Sequence, residues 1–250
     1  MAFVEAELTQ DKFLNGRLLI RQPRTGYRAG VDPVLLAAAT PAKPGQSVLE
    51  LGCGAGVAIL CLAVRVPRLE LTGVELQSEY AALAQRNASE NGQELNIVQG
   101  DLTQLPDTLR QQSYDHIIAN PPYYRREAST RASDTGRDTA LSGETPLSDW
   151  CDVAMRRLAP KGCLTMIQRA ERLPEMIAAL HGRSALEVIP LSARQGRDAK
   201  LVILRAVKGG RTSFILRAPV VMHAGAAHAQ DGDDYTAQMR GILRNGINLC

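Results

Sequence analysis

The stretch from Ser47 to Val64, "SVLELGCGAGVAILCLAV", constrains the fold more than any other part of the chain. An apolar-rich run that reads as a strand meets three glycines at alternate positions, and apolar residues at helical spacing follow. A strand that turns into a helix over so few residues opens a βα unit, and more units follow. Strand-like runs at 47–51, 69–76, 94–100, 114–120 and 162–168 alternate with helical patterns in "GVAILCLAVRV", "QSEYAALAQRNASENG" and "PLSDWCDVAMRRLAPKG". Such units predict an α/β fold, a mostly parallel sheet with helices on both faces. After residue 184 the pattern changes to "ALEVIPL", "AKLVILRAV" and "TSFILRAPVVM". The short turn between the last two predicts that they pair as an antiparallel hairpin at one edge of a seven-stranded sheet.

Composition narrows the class. A chain of 250 residues can hold one main core with a modest extension. We expect residues 1–44, with a helix in "DPVLLAAAT", to form an N-terminal extension of a domain at 45–250. Residues 125–145 carry no apolar period, which predicts a lid-like loop, and "YTAQMRGILRN" near the end has a helical pattern. No apolar run approaches the length of a bilayer span and "MAFVEAELTQ" lacks a signal pattern, so a cytoplasmic protein without membrane contact is expected. The five cysteines form no C-x-x-C pair, which favours reduced thiols over disulfides or zinc. No metal site is expected elsewhere either: His116 falls inside the fourth strand and reads as core, while His223 and His228 have no carboxylate neighbours. A net charge of +3 names no partner, yet Leu191 to Arg217 holds seven basic residues against one acidic, Asp198. That run, with Arg194, Arg197 and Lys200 at its start, is a candidate polyanion-binding patch; a solvated sheet edge is the competing reading.

Gly52, Gly54 and Gly56 lie where backbone can pass close to a ligand and a helix N-terminus can face it, which implies a nucleotide-type cofactor. The spacing is G-x-G-x-G, whereas a dinucleotide site uses G-x-G-x-x-G. Glu50, just before the loop, would repel a pyrophosphate and attract a cation. S-adenosyl-L-methionine, with its ammonium and sulfonium, fits better. Glu75 at the end of the second strand can accept hydrogen bonds from ribose hydroxyls, a role that by itself does not choose the cofactor. Asp101 ends the third strand and can meet the adenine amino group; with Gln104 it also has the spacing of a helix cap. In a sheet ordered 3-2-1-4-5, adenine, ribose and methionine would lie over strands 3, 2 and 1, and the fourth strand end falls beside the reactive methyl.

At that strand end the chain reads Asn120-Pro121-Pro122-Tyr123, which resembles the N-P-P-Y signature of methyltransferases acting on planar amide or amino nitrogens. An exocyclic amine on adenine is a poor nucleophile, because its lone pair is delocalised into the ring. The Asn120 side-chain oxygen and the Pro121 carbonyl can accept its two hydrogens and aim that lone pair at the methyl. The prolines hold the acceptors still, and Tyr123 offers a face on which a base can stack. Tyr124 has no assigned role.

With "RTGYRAGVDPVLLAAAT", "LELGCGAG", "VELQ" and "YTAQMRGILRNG", the chain resembles bacterial tRNA adenine-N6 methyltransferases that modify adenine 37 of a valine tRNA. The resemblance implies a Rossmann-like class I S-adenosylmethionine-dependent fold and a tRNA partner. It also implies that Tyr27, Gly30 and Asp32 border the methionine end of the cofactor, with Asp32 near its ammonium. Two other enzymes share the chemistry. Methylation of a protein glutamine amide, as in release factors, would normally bring an N-terminal helical domain for which there is little room. DNA adenine methylation would normally bring a target-recognition domain. A non-catalytic cofactor- or RNA-binding scaffold would not need Asn120, Tyr123, Glu75 and all three glycines together.

Overall fold

The computed structural model describes residues 3–123, 145–225 and 234–249. The expected lid at 125–145, apart from Thr145, and both Tyr124 and His228 lie outside the described residues. The chain opens with an antiparallel hairpin, β1 (Leu8–Phe13) and β2 (Leu18–Pro23), which our sequence reading did not anticipate. Its turn puts Leu14, Asn15 and Gly16 at positive φ, so the Asn15-Gly16 pair was the available signal. Helix α1 (Asp32–Ala39) follows, buried from Pro33 to its end, and leads into the main sheet.

That sheet alternates β3 (Ser47–Leu51), α2 (Val57–Arg65), β4 (Glu70–Glu75), α3 (Ser78–Glu90) and β5 (Asn96–Gln99). A short α4 (Asp107–Arg110) precedes β6 (Tyr114–Ala119). Then come α5 (Leu147–Arg157), β7 (Leu158–Arg169), α6 (Leu173–Leu180), β8 (Ser184–Ser192) and β9 (Ala199–Lys208). Two-residue strands β10 (Ile215–Leu216) and β11 (Val220–Val221), a short helix α7 (Ala237–Arg240) and the π-helical turn Gly241–Asn245 that continues it complete the order. The strands lie β10-β8-β9-β7-β6-β3-β4-β5, with β11 also on β8, so nine strands form the sheet. Its β5-β4-β3-β6-β7 part is parallel, in the 3-2-1-4-5 order expected from the βα units.

The edge differs from expectation in its partners. The antiparallel hairpin joins β8 to β9, not β9 to the 212–222 run, and β9 is also antiparallel to β7. With β7 on one side of β9 and β8 on the other, no edge of β9 remains. The 212–222 run therefore crosses to the outer side of β8, where β10 and β11 run parallel to it.

Alternation along the strands divides the core into two layers. Val48 and Ile118 belong to the layer holding α1, α2 and the N-terminal hairpin, while Leu49, Leu51, Ile117 and Ala119 belong to the one holding α5 and α6. This parity turns Glu50 toward α2 and gives each strand end a defined face at the parallel edge. His116 is buried within β6 and bonds Gln46 across 3.0 Å, as a core histidine should.

Candidate active site

A cavity of about 720 Å³ opens over the carboxyl ends of β3, β4, β5 and β6. Parallel strands place their C-terminal loops side by side about 4.8 Å apart, so residues distant in sequence line one trough. Among the lining residues are Tyr27, Gly30, Asp32, Glu50, Gly52, Gly54, Glu75, Asp101 and all four of Asn120 to Tyr123. Gly56 is not among them. It sits at the left-handed start of α2, and a Cβ there would press to 3.3 Å on Ala84 of α3, so its role is helix packing rather than ligand approach. Gly30 lines the cavity without needing to be glycine, since a Cβ would meet nothing within 4 Å.

Gly52 and Gly54 are glycine for reasons of backbone and space. Both have positive φ, and a Cβ on Gly52 would come within 2.5 Å of the Trp150 ring. Trp150, on α5, thus props the loop from below and lines the cavity; it is the chain's single tryptophan and was not singled out from sequence. The loop is tied to its acidic neighbours. Glu75 Oε2 accepts from the Gly54 N–H at 2.8 Å and Oε1 from the Gln77 N–H at 2.9 Å. Glu50 Oε2 accepts from the Ile59 N–H at 3.0 Å, satisfying an otherwise unpaired donor in the first turn of α2. Asp101 caps its short turn by accepting from the Thr103 N–H at 2.8 Å, with Thr103 rather than Gln104 as the partner.

Burial is the main force on these carboxylates. It raises Glu50 well above its ordinary value, and it raises Glu75 and Asp32 too, against the opposing hydrogen bonds each receives. Three acidic groups made reluctant to ionise, sharing one cavity, are a site that a cationic group would relieve. The donor set therefore fits a ligand with ammonium or sulfonium character plus hydroxyls for Glu75, held against glycine backbone. Exposed Arg24 and Arg28 also line the cavity, but Arg28 is paired to Asp11 at 2.7 Å and Arg24 donates to the Ala6 carbonyl.

At the end of β6 the Asn-Pro-Pro-Tyr loop is held from both sides by hydrogen bonds. The Asn120 Nδ2 donates to the Tyr27 hydroxyl at 3.4 Å, and among the described hydrogen bonds none engages Oδ1. The Tyr123 hydroxyl donates to Asp32 Oδ2 at 2.5 Å; burial and that carboxylate push its pKa up, so the phenol stays neutral. Behind the prolines, the fully buried Gln168 of β7 donates to the Pro121 and Pro122 carbonyls at 3.2 and 3.4 Å. Gln168 is a second residue that sequence reasoning missed. A polar side chain closing the apolar run "GCLTMIQ" beside the fourth strand was its only signal.

The basic run does not behave as one patch. Arg194 is 8% exposed, ion-paired to Asp234 and bonded to the Ala224 carbonyl, so it is a tether between the β8–β9 turn and the C-terminal segment and not a free cation for a substrate. Arg205 and Arg217 pair with Glu187, and Lys208 donates to the Leu158 carbonyl at 2.6 Å. Arg197 on the β8–β9 turn and Lys200 at the start of β9 are exposed. Because Leu201 is level with Arg169 at the C-terminal end of β7, that turn stands at the same end of the sheet as the cavity, though it does not line it. His223 contacts Asp234 at 2.6 Å and stacks on Tyr235, and no cluster of metal-ligating residues occurs among the described residues.

Residues 30–138 match the family described as the methyltransferase small domain. The chain is 35% identical over 127 residues to the tRNA1(Val) (adenine(37)-N6)-methyltransferase of Yersinia enterocolitica, covering 50% of this chain and 49% of that relative. A protein of the same name from Photorhabdus laumondii is 33% identical, over 53% of this chain and 57% of its own length. The one from Porphyromonas gingivalis is 32% identical over 175 residues, 66% of this chain and 68% of its own length. The chain thus spans about half the length of the first two relatives and two thirds of the third. Among solved structures, a predicted O-methyltransferase from Agrobacterium tumefaciens superposes with a TM-score of 0.69 at 26% identity, over 87% of this chain and 97% of that one. The Thermus thermophilus 16S rRNA N2 G1207 methyltransferase shares the fold at a TM-score of 0.55 and 19% identity, over 80% of this chain and 50% of that one. With a glycine loop, acidic strand ends and an Asn-Pro-Pro-Tyr turn in register on a class I methyltransferase sheet, and with that relatedness, the chain belongs to the tRNA1(Val) (adenine(37)-N6)-methyltransferase family.

Proposed function

We propose that this protein transfers a methyl group from S-adenosylmethionine to the exocyclic N6 amine of an adenine in RNA, with adenine 37 of a tRNA anticodon loop as its target. One observation carries the reading: the Asn-Pro-Pro-Tyr turn stands beside a cavity with two buried carboxylates and a half-buried one, all raised in pKa by desolvation. Relatives named for that reaction supply the tRNA part. S-adenosylmethionine would bring an electrophilic methyl on a sulfonium. Asp32 would hold its ammonium, Glu75 its ribose hydroxyls and Asp101 its adenine amino group, with the backbone of Gly52 and Gly54 close against it. Residues 1–44 would then act as an extension that lends Tyr27, Gly30 and Asp32 to the site of a domain at 45–250.

The protein's own groups then act on the acceptor. Asn120 Oδ1 and the Pro121 carbonyl would each accept one amine hydrogen, which favours a pyramidal nitrogen with its lone pair aimed along the transfer line. Tyr123 and Pro122 would pack against the base, the Tyr123 ring being fixed by its bond to Asp32. No strong base is needed, because the nitrogen becomes acidic once it carries the new methyl and releases its proton afterwards. Arg197 and Lys200, at the same end of the sheet, would contact phosphates flanking the target. A tRNA substrate locates the reaction in the cytoplasm; among the described residues no helix is long and apolar enough to cross a membrane.

The test is radiolabelled methyl transfer from S-adenosylmethionine into total small RNA from cells lacking the protein, with a glutamine-containing peptide in parallel. Label at an adenine of tRNA is the expected result. Label in peptide alone would replace this function with amide methylation, and label in neither would leave a binding scaffold.

A further inference from the structure

The Pro121 carbonyl is asked to point at a substrate hydrogen, and although the two rings restrict the torsions inside the turn, they do not tie the turn to the strand beside it. Neither Pro121 nor Pro122 has an N–H with which to anchor itself to a neighbouring strand. Gln168 stands where that anchor is missing. Met166 of β7 is paired with Ala119 of β6, so two residues further along β7 runs past the end of β6 and beside the turn. Alternation turns Gln168 to the same face as Leu164 and Met166, in the layer holding α5 and α6. It is fully buried and does not line the cavity.

Both ends of its amide are engaged. Oε1 accepts from the Arg169 N–H at 2.8 Å, which sets the amide so that Nε2 faces the turn. Nε2 then donates to Pro121 O at 3.2 Å and to Pro122 O at 3.4 Å. Arg172 Nη1 adds a bond of 3.4 Å to the Pro122 carbonyl only, so among the described hydrogen bonds the Pro121 carbonyl is held by Gln168 alone. A carbonyl oxygen has two lone pairs. With one taken by Gln168 from the core side, the other is left for a donor on the cavity side.

We infer that Gln168 is a positioning residue for methyl transfer: its side-chain amide fixes the direction of the Pro121 carbonyl, and through it the orientation of the acceptor amine. The role rests on the reading of the Asn-Pro-Pro-Tyr turn as the clamp of a planar nitrogen. Gln168 touches neither substrate nor cofactor. Its loss should therefore leave the binding of both nearly intact and act on turnover, since a small misdirection of a reacting group costs rate rather than affinity.

The experiment compares wild-type full-length protein with Gln168→Met and Gln168→Glu, using labelled methyl transfer into total small RNA from cells lacking the protein. Methionine fills the same volume without a donor. Glutamate keeps an acceptor for the Arg169 N–H but sets an oxygen against the two carbonyls. Gln168→Met should lower kcat by about tenfold to a hundredfold. KM for RNA and the Kd for S-adenosylmethionine should stay within about twofold of wild type. Gln168→Glu should be slower than Gln168→Met. Wild-type kcat in both variants would overturn the role, as would a loss of kcat that tracks equal losses of cofactor affinity and melting temperature, which is what a merely structural glutamine would give. Wild-type protein that labels no RNA would instead remove the functional reading, and this role with it.

Discussion

Asn120 has one end of its amide held by the Tyr27 hydroxyl, and no described hydrogen bond engages the other, so on the proposed reaction its contribution would come in the reacting state rather than in the fold. Asn120→Ala should leave S-adenosylmethionine affinity near wild type and lower kcat by about 10²- to 10³-fold, read by single-turnover transfer to RNA. Gly52 is the opposite case. Alanine there must adopt a φ of +63° and push Trp150 aside, so Gly52→Ala should cost about 1–3 kcal/mol in denaturant unfolding and weaken cofactor binding as well. Both residues were readable in the sequence, because a glycine loop after a strand and a four-residue proline turn are contiguous signals. Trp150 and Gln168 were not. Each meets its partner across the sheet, and that pairing exists only after α5 and β7 have packed. Gly56 was read as a ligand contact because its neighbours are; which of three glycines faces a cavity is set by helix packing that spacing does not encode.

At the level of elements, the parallel half of the sheet was legible because each βα unit carries its own period and stop signals. The β8–β9 edge was harder. Three consecutive strands can pair in more than one order, and the choice depends on which edges remain open once β7 has taken one side of β9. That choice decides the fate of the basic run. It sends Arg194 inward to Asp234 while leaving Arg197 on the turn and Lys200 at the start of β9 exposed. Reversing both exposed charges, Arg197→Glu with Lys200→Glu, should flatten the dependence of RNA affinity on salt by about 0.7 in slope per lost phosphate contact, measured by filter binding across a salt series. Arg194→Ala should act differently, lowering stability by about 1–3 kcal/mol in denaturant unfolding, because it leaves Asp234 and the Ala224 carbonyl short of a charged donor.

For the whole molecule, the cavity's carboxylates set two pH trends that run against each other. Asp32, Glu50 and Glu75 are raised above their ordinary values of 3.8, 4.5 and 4.5. A carboxyl raised in the folded state adds stability below its unfolded pKa and loses it as pH rises through the folded one. The protein alone should therefore melt at higher temperature near about pH 5 than near about pH 8. Glu5, Glu90 and Glu187, held below 4.5 beside arginines, titrate beneath that window; His116, which burial holds below its ordinary 6.5, works against the trend inside it, one lowered imidazole against three raised carboxyls. Affinity for S-adenosylmethionine should move the other way, tightening as the carboxylates ionise, which titration calorimetry across the same range will show. On the proposed reaction the carboxylate trio would also distinguish donor from by-product. Once the methyl has left, sulfur is a neutral thioether, and one of the two charges that drew the ligand to Glu50 and its neighbours is gone. A cavity that admits the fresh donor on these terms would relax its hold on the exhausted one, so each turnover would help to clear the way for the next.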